Sequence, residues 1–254
     1  MCFVGLTLGW AGLLSGCITT TEGGFTEKAS PDKALEKRVT LARQYLGEGN
    51  WDSAKRNLEL AIDIDPGNAD VHEAFGLLYQ QTGEFELAEQ HFKKSISVER
   101  GCSRCRNNYA AFLYSQQRYA EAEVQLERVV KDSLYTARPQ AFVNLGLCRL
   151  KLFDPQGAEE AFVRALSMDR TNRYALLETA QLRFDANDIG SASSYYDTYR
   201  RVVRQQSARG LLLGIQLAQA NGNADDEASY ALALANRFPQ SPEYQAYLRI
   251  KSGE

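Results

Sequence analysis

Cys102 and Cys105 are separated by two residues. Thiols at that spacing can close a disulfide, exchange disulfides, or supply half of a zinc site. The chain has five cysteines and two histidines. Zinc asks for about four ligands, and His72 and His91 lie at other places in the sequence. A redox pair belongs beside a βαβ pattern, and no strand is expected here. A structural disulfide is the leading reading, ahead of two free thiols, a redox role and a metal site. Cys148 reads as a small buried apolar residue. The sequence carries no Gly-rich phosphate loop, no histidine pair at metal spacing and no Ser/His/Asp set. Its carboxylates fall at polar helix positions, so no enzyme, metal or cofactor is expected.

Another cysteine suggests different chemistry. Residues 1–16 carry no charge, are mostly apolar and end Leu14-Ser15-Gly16, just before Cys17. Spanning a bilayer takes about 20 apolar residues, so this segment reads as a secretion signal. Its end resembles the bacterial lipobox, in which the peptidase cuts before a cysteine that then carries the lipid. That resemblance implies acylation of Cys17, with Cys2 leaving in the signal. It also implies an outer-membrane address, because Ile18 and not Asp follows Cys17. Signal peptides have Lys or Arg ahead of the apolar core, and none is present; the simplest expectation puts the true start upstream of Met1. Residues 17–34 read as a polar, flexible tether. The sixteen residues 18–33 within it reach about 20–24 Å on average.

The elements behind these groups follow a period. Ala42, Tyr45, Ala54, Leu58, Ala61 and Pro66 form a set whose offsets return at intervals of about 34 residues. Small residues recur where two helices touch, and large ones where hairpins meet. We number each unit from 1. Units fall near 35–68, 69–102, 103–136, 139–172, 173–206 and 207–240, with Ala137 and Arg138 inserted before the fourth. Position 8 holds Ala42, Gly76, Ala110, Gly146, Ala180 and Gly214, and position 24 holds Leu58, Phe92, Leu126, Phe162, Tyr196 and Tyr230. Unit six is weakest, because Asp226 occupies its small position 20. Turns are expected at Gly49-Asn50, Thr82-Gly83, near Tyr119, and at Asn187-Asp188. Unit two lacks the repeat's proline, and Cys102 and Cys105 sit at that junction. Pro239 stops the last hairpin, and residues 241–251 form a capping helix with Ser241 as its cap. The fold expected for residues 35–251 is all-α, a right-handed tetratricopeptide-repeat superhelix.

Such solenoids present the first helix of each hairpin to a concave groove, with positions 2, 5, 9 and 12 inward. On that count the C-terminal groove is apolar: Val143, Leu147 and Leu150 in unit four, Tyr174, Leu177 and Phe184 in unit five, Leu211 and Ile215 in unit six. The groove is the expected seat for a partner helix or extended peptide. The alternative is that the terminal helix folds over it and fills it. Val39, Arg43 and Leu46 form a second, mixed patch in unit one. A net charge of −3 gives no basis for nucleic-acid binding.

Asn107-Asn108-Tyr109-Ala110-Ala111-Phe112-Leu113-Tyr114, Arg118-Tyr119, Asp132-Ser133-Leu134-Tyr135 and Asn144-Leu145-Gly146-Leu147-Cys148 resemble the type IV pilus biogenesis/stability lipoproteins, the PilF/PilW-like pilotins. So do Leu211-Leu212-Leu213-Gly214-Ile215 and the ending Arg237-Phe238-Pro239-Gln240-Ser241-Pro242-Glu243-Tyr244. The resemblance covers essentially the whole mature chain, although Cys102-x-x-Cys105 departs from the family pattern. It implies a lipid-anchored protein at the periplasmic face of the outer membrane that binds secretin subunits and promotes their delivery and multimerisation; a lone solenoid with a capped end can be monomeric. Its competitors are another periplasmic scaffold, serving outer-membrane protein assembly or cell-wall synthesis, and a thiol oxidoreductase using Cys102 and Cys105.

Overall fold

Helix signals recur along the chain. Asn, Asp or Ser stands before most helices, and its side chain accepts a backbone N–H from the first turn: Ser30 from Lys33, Asn50 from Ser53, Asn68 from Val71, Asp154 from Gly157, Asn172 from Ala175, Asp188 from Ser191, Ser207 from Gly210, Asn223 from Asp226 and Ser241 from Tyr244. Each cap satisfies a donor that the helix cannot reach. The computed structural model describes residues 30–252. Among these residues it contains thirteen helices and no strand.

Six hairpins stack in chain order: α1 (Pro31–Gly47) with α2 (Trp51–Ile64), α3 (Ala69–Thr82) with α4 (Phe85–Val98), α5 (Ser103–Ser115) with α6 (Tyr119–Val129), α7 (Arg138–Lys151) with α8 (Pro155–Met168), α9 (Arg173–Asp185) with α10 (Ile189–Val202), and α11 (Ala208–Ala220) with α12 (Ala224–Arg237). α13 (Pro242–Ser252) closes the stack. The result is a tetratricopeptide-repeat superhelix. The segment read as a signal peptide, Cys17 and most of the expected tether lie outside the described residues. The tether boundary read at residue 34 moves, because Ser30 caps a helix that already begins at Pro31. The turn placed near Tyr119 lies just before it, since Tyr119 opens α6.

Position 8 shows why a small residue is required. A Cβ on Gly146 would stand 2.5 Å from the Phe162 ring, and one on Gly76 would stand 2.8 Å from Phe92. Large position-24 side chains therefore fill the space that small position-8 residues leave. Phe92, Phe162, Leu58 and Leu126 are all essentially inaccessible.

The hairpin turns carry one left-handed residue each: Gly49, Gly83, Gln117, Phe153, Asn187 and Gly222. These fix the register. Five of them fall at position 15, but Gly222 falls one residue late. Hairpin six therefore starts at Ala208, and Ser207 is a one-residue insertion serving as its cap. Asp226 does not occupy the small position. That place belongs to Glu227, and the buried position 27 belongs to Leu234, which is fully enclosed.

Candidate functional site

The superhelix lays α1, α3, α5, α7, α9 and α11 along one concave face, with α3 packed on α1 and α5, α7 on α5, and α11 on α9. Position 5 is turned into the packing on four of these helices. Val39, Glu73, Val143 and Leu177 all occupy it, and all are buried. Val39, Val143 and Leu177 are therefore core residues and not groove residues, contrary to the sequence expectation. Leu211 and Ile215 are corrected for another reason. The inserted Ser207 rotates the register, so Ile215 takes the enclosed position 8. Leu211 and Ile215 then join Leu234 and Tyr247 in a core cluster under α13. The terminal helix covers that end, and hairpin six presents Arg209, Gln216 and Gln219 at positions 2, 9 and 12.

What remains apolar and accessible is centred on hairpins four and five. Leu147, Leu150 and Phe184 are half-buried against the main core. Tyr174 is exposed, with the Arg173 guanidinium 4.9 Å from its ring centre. Leu147 also lines a small cleft of about 110 Å³ with Ala110, Ala111, Tyr114 and Asn144.

Polar ties hold the first helices in register, and sequence reasoning did not foresee them. The buried Glu73 carboxylate on α3 accepts from Arg43 on α1 at 2.6 Å, and from Arg104 and Asn108 on α5. Arg104 also reaches Asp70. Asn107 accepts from Asn144 at 3.2 Å, and Arg209 donates to Glu178 at 2.7 Å. Arg43 and Leu46, the second sequence candidate without Val39, flank this network in a cleft of about 410 Å³ that also includes Leu77 and Gln81. The Asn-Asn-Tyr element gains a physical role here: Asn107 and Asn108 tie neighbouring hairpins, and Tyr109 donates to Glu89 at 2.9 Å. A cue existed, because Glu73 and Glu178 are acids at positions otherwise turned toward the next helix, with Arg at position 2 of the next unit in both cases.

The thiols and imidazoles are occupied structurally. Cys102 and Cys105 form a disulfide across the start of α5, with Cα atoms 5.3 Å apart and both residues buried. Cys148 is a buried free thiol, pushed up to about 12 by desolvation. His72 donates Nε2–H to the Pro66 carbonyl at 3.0 Å. Its Nδ1 must then accept from His91 Nδ1–H, 3.1 Å away. Burial lowers both imidazoles, His91 to about 4. Among the described residues no group of three His, Cys, Asp or Glu could hold a metal ion, and no helix is long and apolar enough to cross a membrane.

Six stacked hairpins with a concave, partly apolar face define a tetratricopeptide-repeat protein. Tetratricopeptide-repeat family models match residues 45–104, 103–133 and 139–172. The type IV pilus assembly protein PilF of Pseudomonas aeruginosa is 37% identical over 236 residues, 92% of this chain and 93% of that protein. The chain belongs to the PilF family, whose namesake is a type IV pilus assembly protein. The solved structure of Pseudomonas aeruginosa PilF superposes with a TM-score of 0.83 over 86% of this chain and 98% of the other. PilW, described as a widely conserved type IV pilus biogenesis factor, superposes at 0.73 and 28% identity, over 85% and 99% of the two chains.

Proposed function

We propose that this chain is a non-catalytic outer-membrane lipoprotein of type IV pilus biogenesis. In this reading it binds secretin subunits and promotes their localisation and multimerisation. A lipid on Cys17 supplies the membrane address, no other cofactor is needed, and the superhelix supplies the grip. Membership in the PilF family supports the pathway. The observation that carries the binding role is the accessible apolar stretch of Leu147, Leu150, Tyr174 and Phe184 on the concave face. An amphipathic helix or extended segment of the secretin subunit would lay its apolar side chains there. Enclosure of Cys102 and Cys105 in a disulfide leaves no accessible thiol for exchange at that site.

The test combines Leu147→Glu with Tyr174→Glu in the full chain. Circular dichroism should stay native, and affinity for the purified secretin subunit should fall by about 10–100-fold, as expected for central apolar anchors. Unchanged affinity in a folded variant would remove the groove. Deletion of the gene should abolish secretin multimers and surface pili; normal multimers would remove the secretin role and leave the fold intact.

A further inference from the structure

The turn of hairpin four contains a cost that no core contact among the described residues offsets. Phe153 sits at φ +60°, and it is 93% exposed. Left-handed backbone crowds a Cβ against the neighbouring carbonyl, so Gly and Asn suit such positions and bulky residues do not. The other five turns use Gly, Gly, Gln, Asn and Gly. Phe153 combines the crowded backbone with a whole aromatic ring in water. It belongs to none of the core clusters.

Its surroundings say what the ring can meet. Leu152 beside it is 36% exposed. Lys151 is exposed at the end of α7. The other charges close by in sequence are engaged: Arg149 with Glu123 and Glu127, and Asp154 with the Gly157 amide. The tip is therefore an apolar knob with one cation at its base. A flat lipid surface would also meet the neighbouring turns, and Gln116-Gln117-Arg118 and Asn187-Asp188 are polar. A concave protein pocket meets the knob alone.

We propose that Phe153 is an anchor that seats in an apolar pocket with an acidic rim on the partner protein, the rim facing Lys151. This rests on the secretin reading above and deepens it. The concave groove holds the partner along α7 and α9, and the knob adds a second contact at the groove's edge, since Leu150 of the groove is three residues from Phe153. Isolated buried aromatics of this kind dominate many interfaces.

The test uses the full chain and purified secretin subunit. Phe153→Asn installs the residue that hairpin five already uses at this turn. Its urea midpoint should be no lower than wild type, because left-handed crowding is relieved. Its affinity for secretin should fall about tenfold, and Phe153→Trp should restore it. Wild-type affinity in Phe153→Asn, with the groove variant weakened, overturns the anchor and spares the function. A wild-type chain that binds no secretin overturns both. Undiminished secretin binding, together with Phe153-dependent binding to phosphatidylglycerol vesicles, overturns the anchor in favour of a lipid contact.

Discussion

His72 and His91 show how a residue pair can set acid sensitivity without doing catalysis. Their rings lie 5.2 Å apart, with Phe75 packed 4.9 Å from His91. Lys94 and Asp65 are the charges acting on His72, lowering and raising its basicity respectively. Desolvation, reinforced by the neighbouring His72, holds His91 at about 4 in the folded chain, against an unfolded value of 6.5. Below pH ~6.5 the unfolded chain gains a proton that the folded chain refuses until near pH 4, so stability falls across that window and this group adds no further loss beneath it. Glu89 acts in a lower window. Arg118 holds it at about 2, so its contribution is present above its ordinary 4.5 and is lost as pH falls toward 2. Urea midpoints between pH 7 and 4 should fall in the wild type. His91→Phe keeps a ring and should flatten the curve; an unchanged slope would move the sensitivity elsewhere.

At the scale of elements, helix-pair geometry is set by what position 8 lacks. Gly146 lets α7 approach α8 until the Phe162 ring occupies the space of a side chain. Gly146→Ala forces that enclosed ring to move. The variant should lose about 1–3 kcal/mol by overpacking, measured by urea unfolding. Gly47→Ala, where a Cβ meets nothing within 4 Å, should change stability by no more than about 0.5 kcal/mol. Equal effects would mean that the helix contact is not the constraint. The disulfide belongs to this scale as well, because it clasps the first turn of α5, where Cys102 Sγ accepts the Cys105 amide at 3.1 Å. It stands at a junction where the repeat's proline position holds Arg100, as the next three junctions also lack proline there.

The whole stack ends on α13. Leu211, Ile215 and Leu234 share one core cluster with Tyr247 of α13, which covers its outer side. A chain ending at Pro239 should remain helical through hairpins one to five. It should lose hairpin six protection in hydrogen exchange and should aggregate more readily, as an uncapped solenoid end does. Retained protection across 208–237 would show that α13 only decorates the end. The register shift at Ser207 belongs to this scale too. It turns Arg209, Gln216 and Gln219 toward the groove, so the accessible apolar stretch stops at hairpin five.

The repeat period, the small and large contact positions, the caps and the closing helix were all written in the amino acids, because each depends on neighbours a few residues away or one period on. The accessible placement of Leu147, Leu150, Tyr174 and Phe184 on the first helices was legible for that reason. The rest depended on how successive hairpins pack. That packing pressed position 5 into the core, removing Val39, Val143 and Leu177 from the surface and making Glu73 a hub for three hairpins. A single inserted serine reversed the faces of Leu211 and Ile215, and the offsets in the sequence tolerated either register. Only the burial of Leu234 and the left-handed turn at Gly222 chose between them, because packing in three dimensions accepts just one.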